Sequence, residues 1–236
     1  MTLPFFYIEE YTPGQKLITL TEDESKHIIT VLRMKMGEQM HLTDGKGHLL
    51  TVEIADDHKK KCSVKILSTV NRQPSTKKVT IAISLLKNIS RLEWFLEKAT
   101  EIGVAEIIPL LCTRTERQNF RHDRMKNILV SAMLQSQQCW LPVLQEPIKF
   151  QDFCVSKFED CNRLIAHCEE QSKQSLSNLQ IFKSSNFVIA IGPEGDFTSE
   201  EIQLASNNQF IPVTLGETRL RTETAGVVAA TLLCVQ

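Results

Sequence analysis

Two loops near the end of the sequence contain the residues best suited to bind a ligand. The first glycine loop, residues 192–197, begins Gly192-Pro193-Glu194-Gly195, and the second glycine loop, residues 215–221, begins Leu215-Gly216. Glycine lets a backbone approach a ligand closely or adopt positive φ, and Pro193 restricts the shape of its loop. Neither loop has the glycine spacing of a dinucleotide-binding fold or a P-loop. The pattern therefore favours a nucleoside such as adenosine over a phosphate cradle.

The second glycine loop also carries Arg219 and Arg221 just before a predicted helix. The N-terminal end of a helix bears partial positive charge, so an arginine there usually needs an anionic partner. Either loop alone is better explained as a tight turn, with Thr222 as a helix cap. Two such loops after neighbouring predicted strands shift the balance towards a binding site.

The spacing of the cysteines is one weak indication of a metal site. Cys154, Cys161 and Cys168 recur every seven residues, and His167 adjoins the last. No two of the seven cysteines have the Cys-x-x-Cys spacing of a zinc ribbon. We therefore predict that the cysteines pack as small apolar residues, without a disulfide framework and without a metal.

Composition indicates a folded, water-soluble protein of one large or two small domains. The chain has 236 residues, of which 42% are hydrophobic and 23% are charged. No apolar run approaches the roughly 18 residues that a membrane-spanning helix needs. The first residues lack a basic segment and reach Pro4 and Glu9 too early for a secretory signal. We therefore expect a cytoplasmic protein that does not contact a membrane.

The charges are distributed unevenly although the formal net charge is only -1. Between Lys59 and Arg91 the chain contains basic residues and no Asp or Glu, and a second basic cluster runs from Arg114 to Lys126. A cationic strip of this kind can bind a phosphate backbone with salt-dependent affinity. An ordinary solvated surface explains the same pattern, and charge alone does not separate the two.

The predicted elements fall into two groups. Up to residue 70 the pattern predicts strands at 3–8, 16–20 and 62–66, a hairpin of 39–43 with 48–54, and a helix that begins with the capping box Thr21-Glu22-Asp23-Glu24. The polar segment 71–76 separates this group from the next. We therefore predict a small β-rich domain over residues 1–72 and a second domain over residues 73–236.

Strands and helices alternate in the second group. Strands are predicted at 79–86, 106–111, 163–166, 187–191 and 211–214. Helices are predicted after Ser90-x-x-Glu93, at 121–138, in the polar segment between the third and fourth of these strands, after Thr198-x-x-Glu201, and at 223–235. Alternation of this kind predicts an α/β fold with a mostly parallel sheet.

Three motifs together resemble the SPOUT superfamily of RNA methyltransferases, and within it the 16S ribosomal RNA uridine-N3 methyltransferases. They are Gly192-Pro-Glu-Gly195 with Phe197 and Glu201-Ile202, Leu215-Gly216 with Leu220-Arg-Thr-Glu-Thr-Ala225, and Lys98-Ala-Thr-Glu-Ile-Gly-Val104. In the first domain, His27, Val31-Leu32-Arg33, Gly37 and Asp44-Gly45 resemble the PUA-like RNA-binding domain of that family. The resemblance covers nearly the whole chain.

The resemblance implies a homodimer whose C-terminal domain contains a deep trefoil knot, with a PUA-like β-barrel at residues 1–72. It also implies an S-adenosylmethionine site formed by Gly192, Pro193, Glu194, Gly195, Leu215, Gly216, Leu220, Arg221 and Thr222. The implied partner is 16S ribosomal RNA of the small ribosomal subunit. The sequence departs from the family at Thr218, Gln138 and Thr113, and at Asp196, where a third glycine usually follows Gly195.

The implied reaction moves a methyl group to N3 of a uridine, which must lose a proton and leave its base pair. We expect Arg221 to stabilise the developing anion, and Glu223 or Glu194 to accept the proton or to orient Arg221. RNA phosphates are expected to contact basic residues of both domains, namely Arg33, Lys59, Lys60, Lys61, Arg72 and Arg114.

Two other functions remain open from the sequence. The same fold could methylate a ribose 2′-hydroxyl, as other SPOUT families do. Alternatively, the chain could be a non-catalytic RNA-binding assembly factor, in which case it should fail to bind S-adenosylmethionine. The intact glycine loops favour an active enzyme.

Overall fold

The computed structural model describes residues 3–170, 172–177 and 186–235. The chain divides into two compact units. Residues 1–74 and 133–141 form the first unit, and residues 75–132 and 142–236 form the second. The sequence places 133–141 in the second domain, whereas in the structure this segment groups with the first unit: the indole Nε1 of Trp140 donates to the Arg72 carbonyl at 3.2 Å.

The first unit is built on a five-stranded sheet. Its strands are β1 (Phe5–Tyr7), β2 (Leu17–Thr19), β3 (Gln39–Thr43), β4 (His48–Asp56) and β5 (Ser63–Asn71), in the order β1-β3-β4-β5-β2. β1 pairs parallel with β3, and the other pairs are antiparallel, including the predicted hairpin of β3 and β4. Alternate residues of β4, such as Leu50 and Val52, are fully buried in the core of this unit.

The helical segment of the first unit begins as predicted and continues differently. Thr21 caps α1 (Glu22–Ser25) in a complete capping box with Glu24. The chain then continues as a π-helix over Lys26–Val31, and Arg33 follows with a φ of 59°. Periodicity alone cannot distinguish a π-helix from an α-helix over so few residues.

The second unit contains a parallel sheet, which confirms the predicted α/β class. Its strand order is β11-β13-β10-β12-β6-β7-β8, with β9 paired to β7, and the pairings among these described strands are all parallel. The strands are β6 (Val79–Ser84), β7 (Glu106–Leu111), β8 (Val143–Leu144), β9 (Ile148–Lys149), β10 (Asn162–Ala166), β11 (Gln174–Ser175), β12 (Phe187–Ile191) and β13 (Ile211–Thr214). β6 and β12 are buried along their whole length, as their continuous apolar sequences predict.

Five helices accompany these strands in the described part of the second unit: α2 (Ile89–Ile102), α3 (His122–Gln135), α4 (Phe150–Val155), α5 (Ser199–Asn207) and α6 (Thr222–Cys234). The predicted capping box of Thr198 with Glu201 is present at α5. The predicted cap at Ser90 is wrong, because Asn88 caps α2 by accepting a hydrogen bond from the Ser90 backbone at 3.0 Å. Asparagine is as good a cap as serine, so the helix begins earlier.

The polar helix predicted between β10 and β12 falls partly on residues 171 and 178–185, which lie outside the described residues. The described part of that segment contains β11, a strand at the sheet edge. No helix in the part of the chain that the structure describes is long and apolar enough to cross a membrane.

Candidate functional site

The strand order brings both glycine loops to one edge of the sheet in the second unit. β10 lies between β13 and β12, so the two loops that follow β12 and β13 flank the end of β10. Carboxyl ends of parallel strands are where α/β proteins bind ligands. A cavity of about 520 Å³ opens there, and its lining includes both loops and the residues immediately after β10.

Most of the residues predicted to hold a cofactor line this cavity: Gly192, Pro193, Glu194, Leu215, Gly216, Leu220, Arg221 and Thr222. Gly195 does not line it. The carbonyl oxygen of Gly195 instead accepts a hydrogen bond from Nη1 of Arg114 at 2.6 Å. A Cβ on Gly195 would lie 3.2 Å from Cδ of Arg114, so the structure places Gly195 against the Arg114 side chain.

Close packing shapes the first glycine loop. A Cβ on Gly192 would lie 3.1 Å from the Phe197 ring and 3.2 Å from the Phe197 backbone nitrogen, and Phe197 is itself buried in the core. Asp196 adopts a φ of 64°, which explains why a glycine is usual there. Its carboxylate accepts hydrogen bonds from the backbone nitrogens of Phe197 at 2.8 Å and Cys168 at 2.7 Å. Asp196 thus joins the loop to the end of β10.

The second glycine loop is more exposed and is shaped by its own residues. Gly216 has a φ of 143°, which side-chain-bearing residues rarely adopt. The Thr214 hydroxyl donates to the Gly216 carbonyl at 2.8 Å. Half-buried Leu215 and Leu220 add apolar surface to the cavity, while Arg219 is exposed. The loop therefore combines apolar side chains with accessible peptide groups.

His167, which the sequence suggested only as a weak metal ligand, lies directly after β10 and lines the cavity. Its side chain is buried, and neither ring nitrogen has a hydrogen-bond partner in the described part of the chain. Burial, and then the nearby Lys173 ammonium, lowers the pKa of His167 and favours the neutral ring. The position of His167 at the end of the strand between the two loops is the signal that sequence reasoning missed.

The two predicted catalytic residues are placed differently. Arg221 is the exposed N-cap residue of α6 and lines the cavity. Glu223 is buried, and its Oε1 lies 3.6 Å from Nε of Arg91, which is also a lining residue. The carboxylate of Glu223 is thus paired with Arg91, which in the sequence is only the end of a basic strip. Glu194 lines the cavity, is exposed, and accepts a hydrogen bond from the Lys87 backbone at 3.2 Å.

The residues predicted to contact RNA are divided between the two units. Arg33, Lys59, Lys61 and Arg72 are exposed in the first unit, and Lys60 is exposed there in a salt bridge of 3.0 Å with Glu22. Arg114 belongs to the second unit, where its guanidinium holds the carbonyls of Gly195 and Phe197. Through these two hydrogen bonds, Arg114 helps to hold the first glycine loop in place.

The three regularly spaced cysteines do not form a common cluster. Cys154 is buried, Cys161 is half-buried and Cys168 is exposed. Burial and, secondarily, Glu201 raise the pKa of Cys154 to about 12. Among residues 3–170, 172–177 and 186–235, no three His, Cys, Asp or Glu side chains are grouped so that they could hold a metal ion.

Comparisons with known proteins agree with this architecture. Residues 73–234 match the family described as the RNA methyltransferase domain, and residues 20–67 match the RNA methyltransferase PUA domain. The chain is 33% identical over 220 residues to ribosomal RNA small subunit methyltransferase E of Synechocystis sp., covering 90% of this chain and 71% of the relative.

Two solved structures are also similar over nearly their whole length. A probable rRNA methyltransferase from Porphyromonas gingivalis is 36% identical with a TM-score of 0.89, covering 99% of this chain and 100% of the other. Ribosomal RNA small subunit methyltransferase E from Neisseria gonorrhoeae, bound to S-adenosyl methionine, is 28% identical with a TM-score of 0.86, covering 97% of this chain and 95% of the other. Because the RNA methyltransferase domain matches residues 73–234, more than half of the chain, this chain belongs to the RNA methyltransferase family, and it carries an N-terminal PUA-like domain.

Proposed function

We propose that this chain transfers a methyl group from S-adenosylmethionine to N3 of a uridine in 16S ribosomal RNA. The convergence of both glycine loops on one cavity is the observation that carries the proposal. The names of the Synechocystis and gonococcal relatives support ribosomal RNA of the small subunit as the substrate class, and the gonococcal complex supports the methyl donor. The uridine-N3 specificity rests on the resemblance of the motifs.

The cavity fits a nucleoside with a charged amino acid group. Its volume of about 520 Å³ lies within the range of small-molecule sites. Leu215 and Leu220 supply apolar contacts for a flat base, and the peptide groups around Gly192 and Gly216 supply donors and acceptors for its edge. We propose that these residues, with Pro193, Glu194, Arg221 and Thr222, hold the donor. When bound, S-adenosylmethionine supplies an electrophilic methyl group on a sulfonium.

The chain's own residues would prepare the uridine for methyl transfer. Arg221 is exposed at the cavity and would stabilise the negative charge that develops on the uracil as N3 loses its proton. Glu194 is also exposed there, whereas Glu223 is buried against Arg91. We therefore assign proton acceptance to Glu194 and not to Glu223, whose carboxylate is paired with Arg91.

We also propose that the chain forms a homodimer and that its C-terminal domain contains a trefoil knot. Both proposals rest on the resemblance to SPOUT enzymes. Sedimentation velocity measures the dimer directly, and a mass of about 27 kDa at micromolar concentration would contradict it. Residues 1–72 and 73–236 are proposed as the RNA-binding and catalytic domains.

Transfer of tritiated methyl groups tests the proposed function. The substrates are 16S ribosomal RNA and assembled small subunits from a strain that lacks the enzyme, followed by nucleoside digestion and mass analysis. We expect labelled 3-methyluridine. Labelled 2′-O-methylnucleoside would move the reaction to ribose, and absence of S-adenosylmethionine binding by calorimetry would favour a non-catalytic assembly factor.

A further inference from the structure

Helices α2 and α6 approach each other closely beside the cavity. A Cβ on Gly226 would lie 2.6 Å from Cε2 and 2.8 Å from Cδ2 of Phe95, distances that no substituted residue could keep without a shift. The contact therefore requires glycine at this position in α6. Such contact fixes which residues face each other one turn earlier on each helix.

One turn before this contact, Arg91 on α2 faces Glu223 on α6. The distance from Nε of Arg91 to Oε1 of Glu223 is 3.6 Å. The Glu223 side chain is 9% exposed and that of Arg91 is 39% exposed. The carboxylate is thus buried beneath an arginine that lines the cavity.

The hydrogen-bonding groups of Arg91 and Glu223 are only partly paired within the described residues. Oε2 of Glu223 is buried without a hydrogen-bond partner there. Nε of Arg91 is the guanidinium nitrogen that faces Glu223, and the terminal amino groups make no hydrogen bond within the described chain. A buried carboxylate is costly unless it is paired, so the side chain of Glu223 favours one position for Arg91. The two terminal amino groups of the Arg91 guanidinium lie in one plane and at a fixed separation.

We propose that Arg91, oriented by Glu223, binds an oxyanion of a ligand in the cavity. A guanidinium with two available amino groups matches two oxygens of one carboxylate or phosphate. Two ligands of the proposed reaction carry such a group, namely the amino acid carboxylate of the methyl donor and a phosphate of the target nucleotide. The inference rests on the proposed function of this cavity and adds a binding residue to it.

Binding measurements on the full chain test this assignment. The variants are Arg91→Ala, Arg91→Lys and Glu223→Gln, with Lys98→Ala as the matched control. Lys98 lies on the same helix α2 as Arg91, forms salt bridges with Glu97 at 2.7 Å and Glu101 at 3.0 Å, and does not line the cavity. Thermal unfolding of each variant verifies that it folds. If Arg91→Ala does not fold, Arg91→Lys replaces it in the test, because lysine retains the positive charge but lacks the paired amino groups.

Three probes separate the two sources of the oxyanion. Calorimetry uses S-adenosylmethionine and methylthioadenosine, which lacks the amino acid, and a filter assay uses transcribed 16S ribosomal RNA. If Arg91 binds the donor carboxylate, Arg91→Ala weakens S-adenosylmethionine binding about tenfold or more and leaves methylthioadenosine unchanged. If it binds a phosphate, only RNA affinity falls by that factor. Either result supports the proposal.

Glu223→Gln distinguishes orientation from simple packing. We expect it to weaken binding of the same ligand by a smaller factor, and to have no further effect when combined with Arg91→Ala. Affinities of Arg91→Ala and Arg91→Lys within twofold of the unaltered protein for all three probes would overturn the assignment while leaving the proposed function intact. An unaltered protein that binds neither S-adenosylmethionine nor RNA would overturn both.

Discussion

Glu201 performs two structural tasks with one buried carboxylate. One oxygen accepts a hydrogen bond from the Thr198 backbone at 2.9 Å and completes the capping box of α5. The other accepts bonds from the backbone nitrogen and hydroxyl of Thr113 at 2.8 Å and 3.1 Å. Glu201 therefore connects the loop after β7 to the helix that follows the first glycine loop.

Glu201→Ala should lower the free energy of unfolding by about 1–3 kcal/mol, because the hydrogen-bond donors of Thr113 and Thr198 lose their charged acceptor. Urea denaturation monitored by circular dichroism measures the change. Glu159→Ala is the matched control, since Glu159 is exposed. Equal midpoints for the two variants would show that the carboxylate of Glu201 contributes little.

His167 should make stability depend on pH. Its pKa is lowered in the folded chain from the ordinary value of 6.5 by burial and Lys173, against the opposing effect of Asp196 and Glu169. As pH falls below about 6.5, the unfolded state binds a proton before the folded state does, so stability is lost. Stability should be fully present above that pH.

Replacement of His167 by Phe should therefore reduce the loss of stability between pH 7.5 and pH 5. Urea midpoints at several pH values measure the slope, and His58→Asn, an exposed position, provides the control. An unchanged pH slope in His167→Phe would exclude His167 as its source.

Arg221→Ala should lower kcat about a hundredfold, because one donor to the developing anion is removed. Affinity for S-adenosylmethionine should fall only a few-fold, because the peptide groups and leucines of the cavity keep most contacts with the donor. Arg221→Lys should restore part of kcat. Steady-state kinetics with saturating donor, together with calorimetry, separates the two effects. Loss of affinity with normal kcat at saturation would make Arg221 a binding residue only.

At the scale of elements, the contact of α6 with α2 positions the start of α6, which directly follows the second glycine loop. Gly226→Ala should lower the free energy of unfolding by about 1–3 kcal/mol, because the added Cβ overlaps the Phe95 ring. Thermal unfolding measures the destabilisation. Combination with Phe95→Leu should recover part of the stability, and failure to recover any would locate the strain elsewhere.

Element boundaries are predictable where the governing contacts are local. The ends of β7, β12 and β13 agree with the sequence, because each strand is a short and mostly apolar segment. The predicted start of α2 is wrong, because Asn88 and Ser90 compete as caps and only the path of the chain selects one. The edge strand β11 has two residues, which is too short to produce a periodic pattern.

At the scale of the whole molecule, the formal net charge is only -1, but three consecutive exposed cations, Lys59, Lys60 and Lys61, lie in the first unit. Replacement of Lys59, Lys60 and Lys61 by Glu should weaken RNA binding and flatten its dependence on salt by about 0.7–0.9 in slope for each phosphate that is no longer neutralised. Filter binding at several salt concentrations measures the slope. Lys157→Glu, at an exposed position of the second unit, is a charge control. An unchanged slope would remove the three lysines from the RNA interface.

The sequence by itself determined the α/β class, the two glycine loops and the family, because strand periodicity and short contiguous motifs depend on neighbouring residues. Only the tertiary structure decided that β10 lies between β13 and β12, which places His167 between the loops. It also decided that Glu223 pairs with Arg91 and that Arg114 holds Gly195. Strand order and helix packing depend on contacts between residues far apart in the chain, and a single sequence carries no local pattern for them.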